Sequence, residues 1–374
     1  MSISSAEYKR RYAAIRELMR DEEMDCLLVF GLADDFNRGN IRYITGSGRG
    51  GCCIFPVEGV PVLLAGINQS KSPKMARTVG AAELLDIRET DDNVKQAVTE
   101  LSRFSKGGHI GIAGAGCMPA SLYTAVKDRF VDKTVDATGI FERVREIKSP
   151  EEIEKTRKAA SIADSVYEIL RRMVRPGLGE YEIYGAVKKT IYENGCEYSF
   201  DLIDAAGSSM NMSFFPTGDK LESRGTLFME ITPAYEGYYA QLPVTLPVDE
   251  YSPQVREMVR AWAEADKATR AVLRPGTKVS DLYNVLIDTV KERGFISPYR
   301  PGHSIGLDAL DFWSITGDSD KVLKAGMVVA VHPSVMLEFG SDACGMGYTY
   351  LITDTGAERL SKIDLAEELL GNVQ

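Results

Sequence analysis

Apolar and polar positions along the chain fall into two textures. The first begins with a charged, helix-patterned stretch from Ser5 to about Glu23 and runs on through the short apolar segments DCLLVFG, NIRYITG, CCIFPVEGVPVLLAG, AAELLDI and HIGIAG. A helical stretch near Lys71 to Thr78 and a helix near Asn93 to Phe104 separate these segments, and a further helical stretch near Pro119 to Asp128 with TVDAT closes the region. Short buried runs alternating with helices predict an α/β unit.

The texture changes at FERVREIKSPEEIEKTRKAASIADSVYEILRRMV. Ser149-Pro150-Glu151-Glu152 is a helix start, with Ser as N-cap, Pro at the first helical position and acids in the first turn, and it leads into a long amphipathic helix. The predicted boundary lies just ahead of it, giving domains 1–147 and 148–374. The second domain reads as helices, the strand-like SFDLIDAAGS, a hairpin from GTLFMEIT to GYYAQLPVTL, two helices around 252–272 and 279–293, and a closing pair, GMVVAVHPSVM and GYTYLITDTG. This order of helices, hairpin, helices, hairpin suggests an old duplication.

Composition narrows the function. The chain has 374 residues and a formal net charge of −10, with a pI near 5.1. Phosphate neutralisation needs a basic face, and no Lys/Arg cluster stands out, so nucleic acid and anionic membrane surfaces are not the expected partners. Small molecules or proteins are. The N-terminal residues lack a signal-peptide core, and no later segment holds about eighteen consecutive apolar residues, so a soluble, cytoplasmic protein is expected. Cysteines at 26, 52, 53, 117, 196 and 344 are scattered in apolar contexts without a CxxC pair, which fits reduced core thiols. Cys52 and Cys53 would point to opposite faces of a strand.

The chemistry concentrates in the second domain. If Pro233-Ala-Tyr-Glu236 is a four-residue turn, Glu230 opposes Tyr239 and Phe228 opposes Gln241. Period-two alternation then puts Glu230 and Gln241 on one sheet face, within reach of a single ligand; the alternative is a solvent-facing pair. His303 lies in RPGHSIGLD, a constrained turn that delivers a side chain into a cleft, and His332 ends the buried strand Met327 to Val331 directly before a proline. Two of the three histidines thus fall at chemically suggestive places, although each also fits an ordinary structural role. Trp313 lines the pocket mouth or packs in the core. Tyr239 shares a face with Gln241 and is a candidate substrate contact or a packing residue. Asp308, Asp311, Asp318 and Asp320 read as a solvated acidic loop, and His109 carries no assigned chemistry.

At these residues the sequence resembles the pita-bread proteins that include methionine aminopeptidase, aminopeptidase P, prolidase and creatinase. The resemblance spans nearly the whole chain, through REIKSPEEIEKTRKAA, GYYAQLPVTL, GHSIGLD, LKAGMVVAVHP and YTYLITDTG. It implies an α/β N-terminal creatinase-like domain and an α+β C-terminal pita-bread domain with a curved antiparallel sheet. The family's metallopeptidases hold two metal ions with two Asp, one His and two Glu, of which the second Asp and last Glu bridge. On this chain those positions read Glu230, Gln241, His303, His332 and, give or take one residue, Gly347. Both bridging carboxylates are missing, so the mutual repulsion of two cations has nothing to offset it. The family's two further catalytic histidines read Ser213 and Leu310.

Three readings follow from the resemblance. The first is a metal-independent, creatinase-like hydrolase or lyase acting on a small carboxylate-bearing, nitrogen-containing substrate. In it His303 or His332 serves as general base or acid, and Glu230 orients a cationic group or a water. Gln241 and Ser213 line the site, and no cofactor is needed. Arg49, in ITGSGRGGCCIF, matches the creatinase arginine that reaches the neighbouring subunit's substrate carboxylate, so a homodimer is expected. Creatinase's base histidine reads Ser213 and its first glutamate Pro243, which argues against creatine itself. The second is a mononuclear metalloenzyme with a single divalent cation on Glu230, His303 and His332. The third is a binding or scaffold protein that has lost catalysis.

Overall fold

The computed structural model describes residues 3–66, 80–205, 212–339 and 341–371, and the chain divides into two compact units, Met1–Glu146 and Ile147–Gln374. The helical stretch expected near Lys71 to Thr78 lies outside the described residues. The first unit is built on a six-stranded sheet of β1 (Met24–Gly31), β2 (Gly51–Pro56), β3 (Val62–Ala65), β4 (Asp86–Glu89), β5 (His109–Ala113) and β6 (Thr134–Asp136), in the order β4-β3-β2-β1-β5-β6. Pairing is antiparallel around β2 and parallel elsewhere, so the sheet is mixed. Cys26 and Leu28 of β1, with Cys52 and Ile54 of β2, pack on one face against Ala97 and Leu101 of the helix Asn93–Phe104. Cys53, one residue on, points to the other face and is also fully buried. The segment NIRYITG is helical, Gly39–Thr45, and not a strand, and its Tyr43 hydroxyl donates to the Val144 carbonyl at 2.9 Å. Among the described residues no disulfide joins any of the six cysteines.

The second unit opens with the helix Pro150–Met173, and its start follows the residue chemistry. Ser149 Oγ accepts from Glu152 N, Glu152 Oε2 accepts from Ser149 N at 2.8 Å, and Pro150 fills the first position. Beyond it come β7 (Tyr198–Ser199), β8 (Leu202–Asp204), β9 (Thr226–Ile231), β10 (Pro233–Tyr235), β11 (Tyr238–Tyr239) and β12 (Leu242–Pro247). They form two three-stranded sheets, β12-β9-β8 and β11-β10-β7. After the helices Pro253–Val272 and Val279–Glu292, β13 (Gly302–Ser304) and β14 (Val328–Val331) join β17 (Tyr348–Ile352) and β18 (Ala357–Arg359) in an antiparallel sheet. β15 (Ser334–Met336) pairs with β16 (Ala343–Gly345) as a separate ribbon. One contiguous core, including Trp262, Met229, Val329 and Tyr350, runs beneath these strands.

The hairpin differs from the expected four-residue turn. Tyr235 pairs with Tyr238, so the turn is the two residues Glu236 and Gly237, with φ of 48° and 90°. Positive φ at both central positions is the type I′ arrangement, whose twist matches that of its strands and which a glycine accepts without strain. Glu230 consequently opposes Pro243, not Tyr239, and Phe228 opposes Thr245, not Gln241. The register moves by an even number of residues, so the face assignment of Glu230 and Gln241 survives.

Candidate active site

Glu230 projects from the central strand of the β12-β9-β8 sheet and is buried, and Gln241, just ahead of β12, donates from Nε2 to Glu230 Oε1 at 3.1 Å. Gln241 is itself pinned, because its backbone N donates to Thr349 Oγ1 at 2.7 Å and its carbonyl accepts from the same hydroxyl at 3.1 Å. Its side-chain Oε1 is buried without a partner among the described residues. Asp201, beside the Leu202 that pairs with Glu230, lies against the same strand. One of its oxygens accepts from Thr232 N at 2.9 Å, and the other from Lys188 Nζ at 2.6 Å. Burial, and then the Asp201 charge, push the Glu230 carboxyl up to about 7 against the pull of the Arg300 guanidinium.

The histidines come from the neighbouring sheet. His303 in β13 pairs with Ala330, and His332, two residues beyond Ala330 and directly after β14, donates from its N to the Pro301 carbonyl at 2.8 Å. Period-two alternation places both imidazoles on one face, with ring centroids 5.1 Å apart and planes at 67°. His303 Nδ1 lies 3.0 Å from the Ser304 carbonyl. A carbonyl can only accept, so Nδ1 carries the proton and Nε2 presents its lone pair. Burial, partly offset by that bond, and then the Arg300 charge hold His303 down to about 4, and burial, then the His303 and Arg300 charges, lower His332 well below the ordinary imidazole range. Both rings are therefore neutral at pH 7. His332 Nε2 is buried without a partner among the described residues, while the residue as a whole keeps partial exposure.

The residues do not fit a metal centre. Gly347 stands opposite His332, and a Cβ placed on it would meet the Val331 carbonyl oxygen at 2.2 Å and the His332 Cα and Cβ at 2.6 Å. A carboxylate there requires the backbone to move. Gln241, at the other bridging position, is neutral and committed to Glu230. Among the described residues, which include Glu230, His303 and His332, no group of three or more His, Cys, Asp or Glu side chains is already drawn together as a metal-binding cluster. Glu230 is turned onto Gln241, and the imidazoles belong to a different sheet.

Other expected site residues are distributed differently. Tyr239 is fully buried in a core cluster with Ala159, Ala234, Ile305 and Ala330, so it is a packing residue. Ser213 pairs with Ile203 and hence with Met229, the row that faces the core, away from the face of Glu230. Trp313 pairs through its carbonyl with Ser304 and is buried in the main core, not at a pocket mouth. Of the acidic stretch, Asp318 and Asp320 are exposed, but Asp308 is buried and Asp311 forms a buried ion pair with Lys148 Nζ at 3.1 Å. Arg49 is exposed in the first unit, in the loop ahead of β2, where its N donates to Ser47 Oγ. Sequence reasoning missed Asp201, Lys188 and Arg300. Only Arg300 carried a local signal, standing three residues ahead of His303 in YRPGH.

Residues 154–354 match metallopeptidase family M24, and residues 11–147 match the creatinase/prolidase N-terminal domain. The chain belongs to metallopeptidase family M24. An uncharacterized peptidase of Staphylococcus aureus strain USA300 is 28% identical to this M24 chain over 231 residues, 61% of this chain; the match spans 65% of that relative's length. Among solved structures, recombinant prolidase from Thermococcus sibiricus aligns with a TM-score of 0.83 at 22% identity, over 97% of this chain and 98% of that one. The X-Pro aminopeptidase of Thermotoga maritima aligns with a TM-score of 0.82 at 20% identity, over 94% and 98%. These likenesses show the pita-bread fold, with a creatinase-type N-terminal domain ahead of the M24 domain. Among the described residues no helix is long and apolar enough to cross a membrane.

Proposed function

We propose that this M24 protein is a metal-independent hydrolase that cleaves a C–N bond in a small, carboxylate-bearing, nitrogen-containing substrate. The observation that carries this reading is the closure of both bridging positions: no side chain fits at Gly347, and the Gln241 amide is bonded to Glu230. A site unable to offset the repulsion of two cations has to work with its own acids and bases.

Glu230 is the group suited to proton transfer. A carboxyl held near 7 exists in both protonation states at neutral pH, and general acid–base efficiency is greatest when the catalytic pKa lies near the working pH. Its Oε1 is occupied by Gln241, which leaves the second oxygen to protonate the leaving nitrogen or to take a proton from water. His303, its Nδ1 fixed by the Ser304 carbonyl, offers Nε2 to a substrate N–H or to the attacking water, and His332 does so from the same face. Gln241 Oε1 is a further acceptor. The partner subunit's Arg49 completes the site in a homodimer. Buried polar atoms left open to a ligand favour an enzyme over a scaffold, whose disused site would fill with apolar groups.

The test is turnover by chelator-stripped protein, with metal content measured, on N-carbamoyl and amidino amino acids and Xaa-Pro dipeptides. Hydrolysis without metal supports the proposal. Hydrolysis that appears only when a divalent cation is returned overturns it.

A further inference from the structure

His303 pairs with Ser314 on one side and Ala330 on the other, and Ala330 pairs with Thr349. Directly paired residues project from the same sheet face. Ser314, His303 and Thr349 therefore stand in one row, and Thr349 is the residue that pins Gln241. Arg300 joins this row from the loop before β13, with Nη1 donating to Ser314 Oγ at 3.4 Å. Among the described residues that long bond is its only hydrogen bond, and it forms no ion pair with a carboxylate. A guanidinium has five N–H donors in a planar fork, so Arg300 has most of its capacity free. It is exposed, while its charge acts on Glu230, His303 and His332 together. Two buried acceptors without a partner among the described residues, His332 Nε2 and Gln241 Oε1, belong to a ring its charge acts on and to the amide bonded to Glu230.

We propose that Arg300 is the anchor for the substrate's carboxylate, acting from within the same subunit, and that it makes the site select small anions over their neutral analogues. The inference rests on the small-molecule reading above and is independent of whether a metal takes part. A planar carboxylate accepts two parallel bonds from the free fork of Arg300, with its chain directed inward so that its N–H groups reach His332 Nε2 and Gln241 Oε1. The cost of leaving a cation unpaired at the rim is small while it is hydrated, so the site tolerates Arg300 without a protein partner.

The measurement is binding, read from the imidazole ring resonances of histidine-labelled protein; with three histidines in the chain, His303→Ala and His332→Ala assign the signals. The probes are glycylproline and N-carbamoylglycine, each compared with its C-terminal amide. At least one carboxylate should shift the His303 and His332 signals of the wild type, and its amide should bind about tenfold or more weakly. Arg300→Gln should lose about tenfold to hundredfold in affinity for the carboxylate with its ring signals still those of neutral imidazoles, and Arg300→Lys should retain part of the affinity. Equal binding of acid and amide, unchanged affinity in Arg300→Gln, or no shift with either carboxylate overturns the assignment. Turnover plays no part in this readout, so bound carboxylate without hydrolysis would sink the function proposed above and leave this inference standing.

Discussion

His303 and His332 meet edge to face at 5.1 Å on one face of the β13–β14 pair, and neither imidazole carries a charge at neutral pH. Two buried imidazoles at this distance disfavour each other's protonation, so the pair offers lone pairs to a ligand rather than cations.

Their removal should stop catalysis without unfolding the protein. His303→Ala and His332→Ala are each expected to reduce turnover of the C–N substrate by about a hundredfold or more, the contribution usual for positioned acid–base groups. Circular dichroism and urea midpoints should stay close to those of the wild type, because His303 gives up one bond to a carbonyl and His332 Nε2 has no partner among the described residues. Wild-type turnover in both variants would remove the histidines from the mechanism.

Glu230 and His303 should tilt stability in opposite directions with pH. The Glu230 carboxyl is raised from 4.5 to about 7 on folding, so its contribution is fully present below 4.5 and is lost as pH rises through 7. The His303 imidazole is lowered from 6.5 to about 4, so its contribution is present above 6.5 and is lost as pH falls toward 4. Between pH 4.5 and 6.5 these two slopes oppose each other, and His332, also lowered, adds to the side of His303. Glu230→Gln removes one side of the balance while keeping the other, so its stability relative to the wild type should improve by about 3 kcal/mol between pH 5 and pH 8. Urea denaturation of both proteins at the two pH values checks this, and a difference independent of pH would show that Glu230 ionises normally.

Gly347 should tolerate no side chain. Overpacking against backbone costs about 1–3 kcal/mol or more, and Gly347→Ala is expected to lower stability by at least that amount in chemical denaturation. Gly347→Glu combined with Gln241→Glu, which returns both bridging carboxylates, should fail to bind two equivalents of manganese or zinc in calorimetry. Tight binding of two ions by that variant would mean that the β14–β17 backbone yields more readily than the packing indicates.

Much of the architecture was legible from local residue chemistry. Ser149-Pro150 with Glu152 fixes the start of the helix Pro150–Met173 because each group satisfies a backbone donor within one turn, and that information is local. The shared face of Glu230 and Gln241 was legible despite a wrong turn, since side-chain alternation depends only on the parity of the register. NIRYITG misled because its β-branched and aromatic residues suit a strand as readily as a packed helix, and tertiary contacts decided between them.

The sequence by itself determined the fold family, the shared face of Glu230 and Gln241, and the loss of charge at the two bridging positions, because these depend on which residues are present and on their spacing. Only the tertiary structure decided that Gly347 is closed against His332, that Asp201 and Lys188 stand behind Glu230, and that Arg300 reaches the row of His303 through Ser314. These relationships join residues far apart in the chain or on different strands. Burial, close approach and electrostatic field are properties of the packed arrangement, and no periodicity along the sequence encodes them.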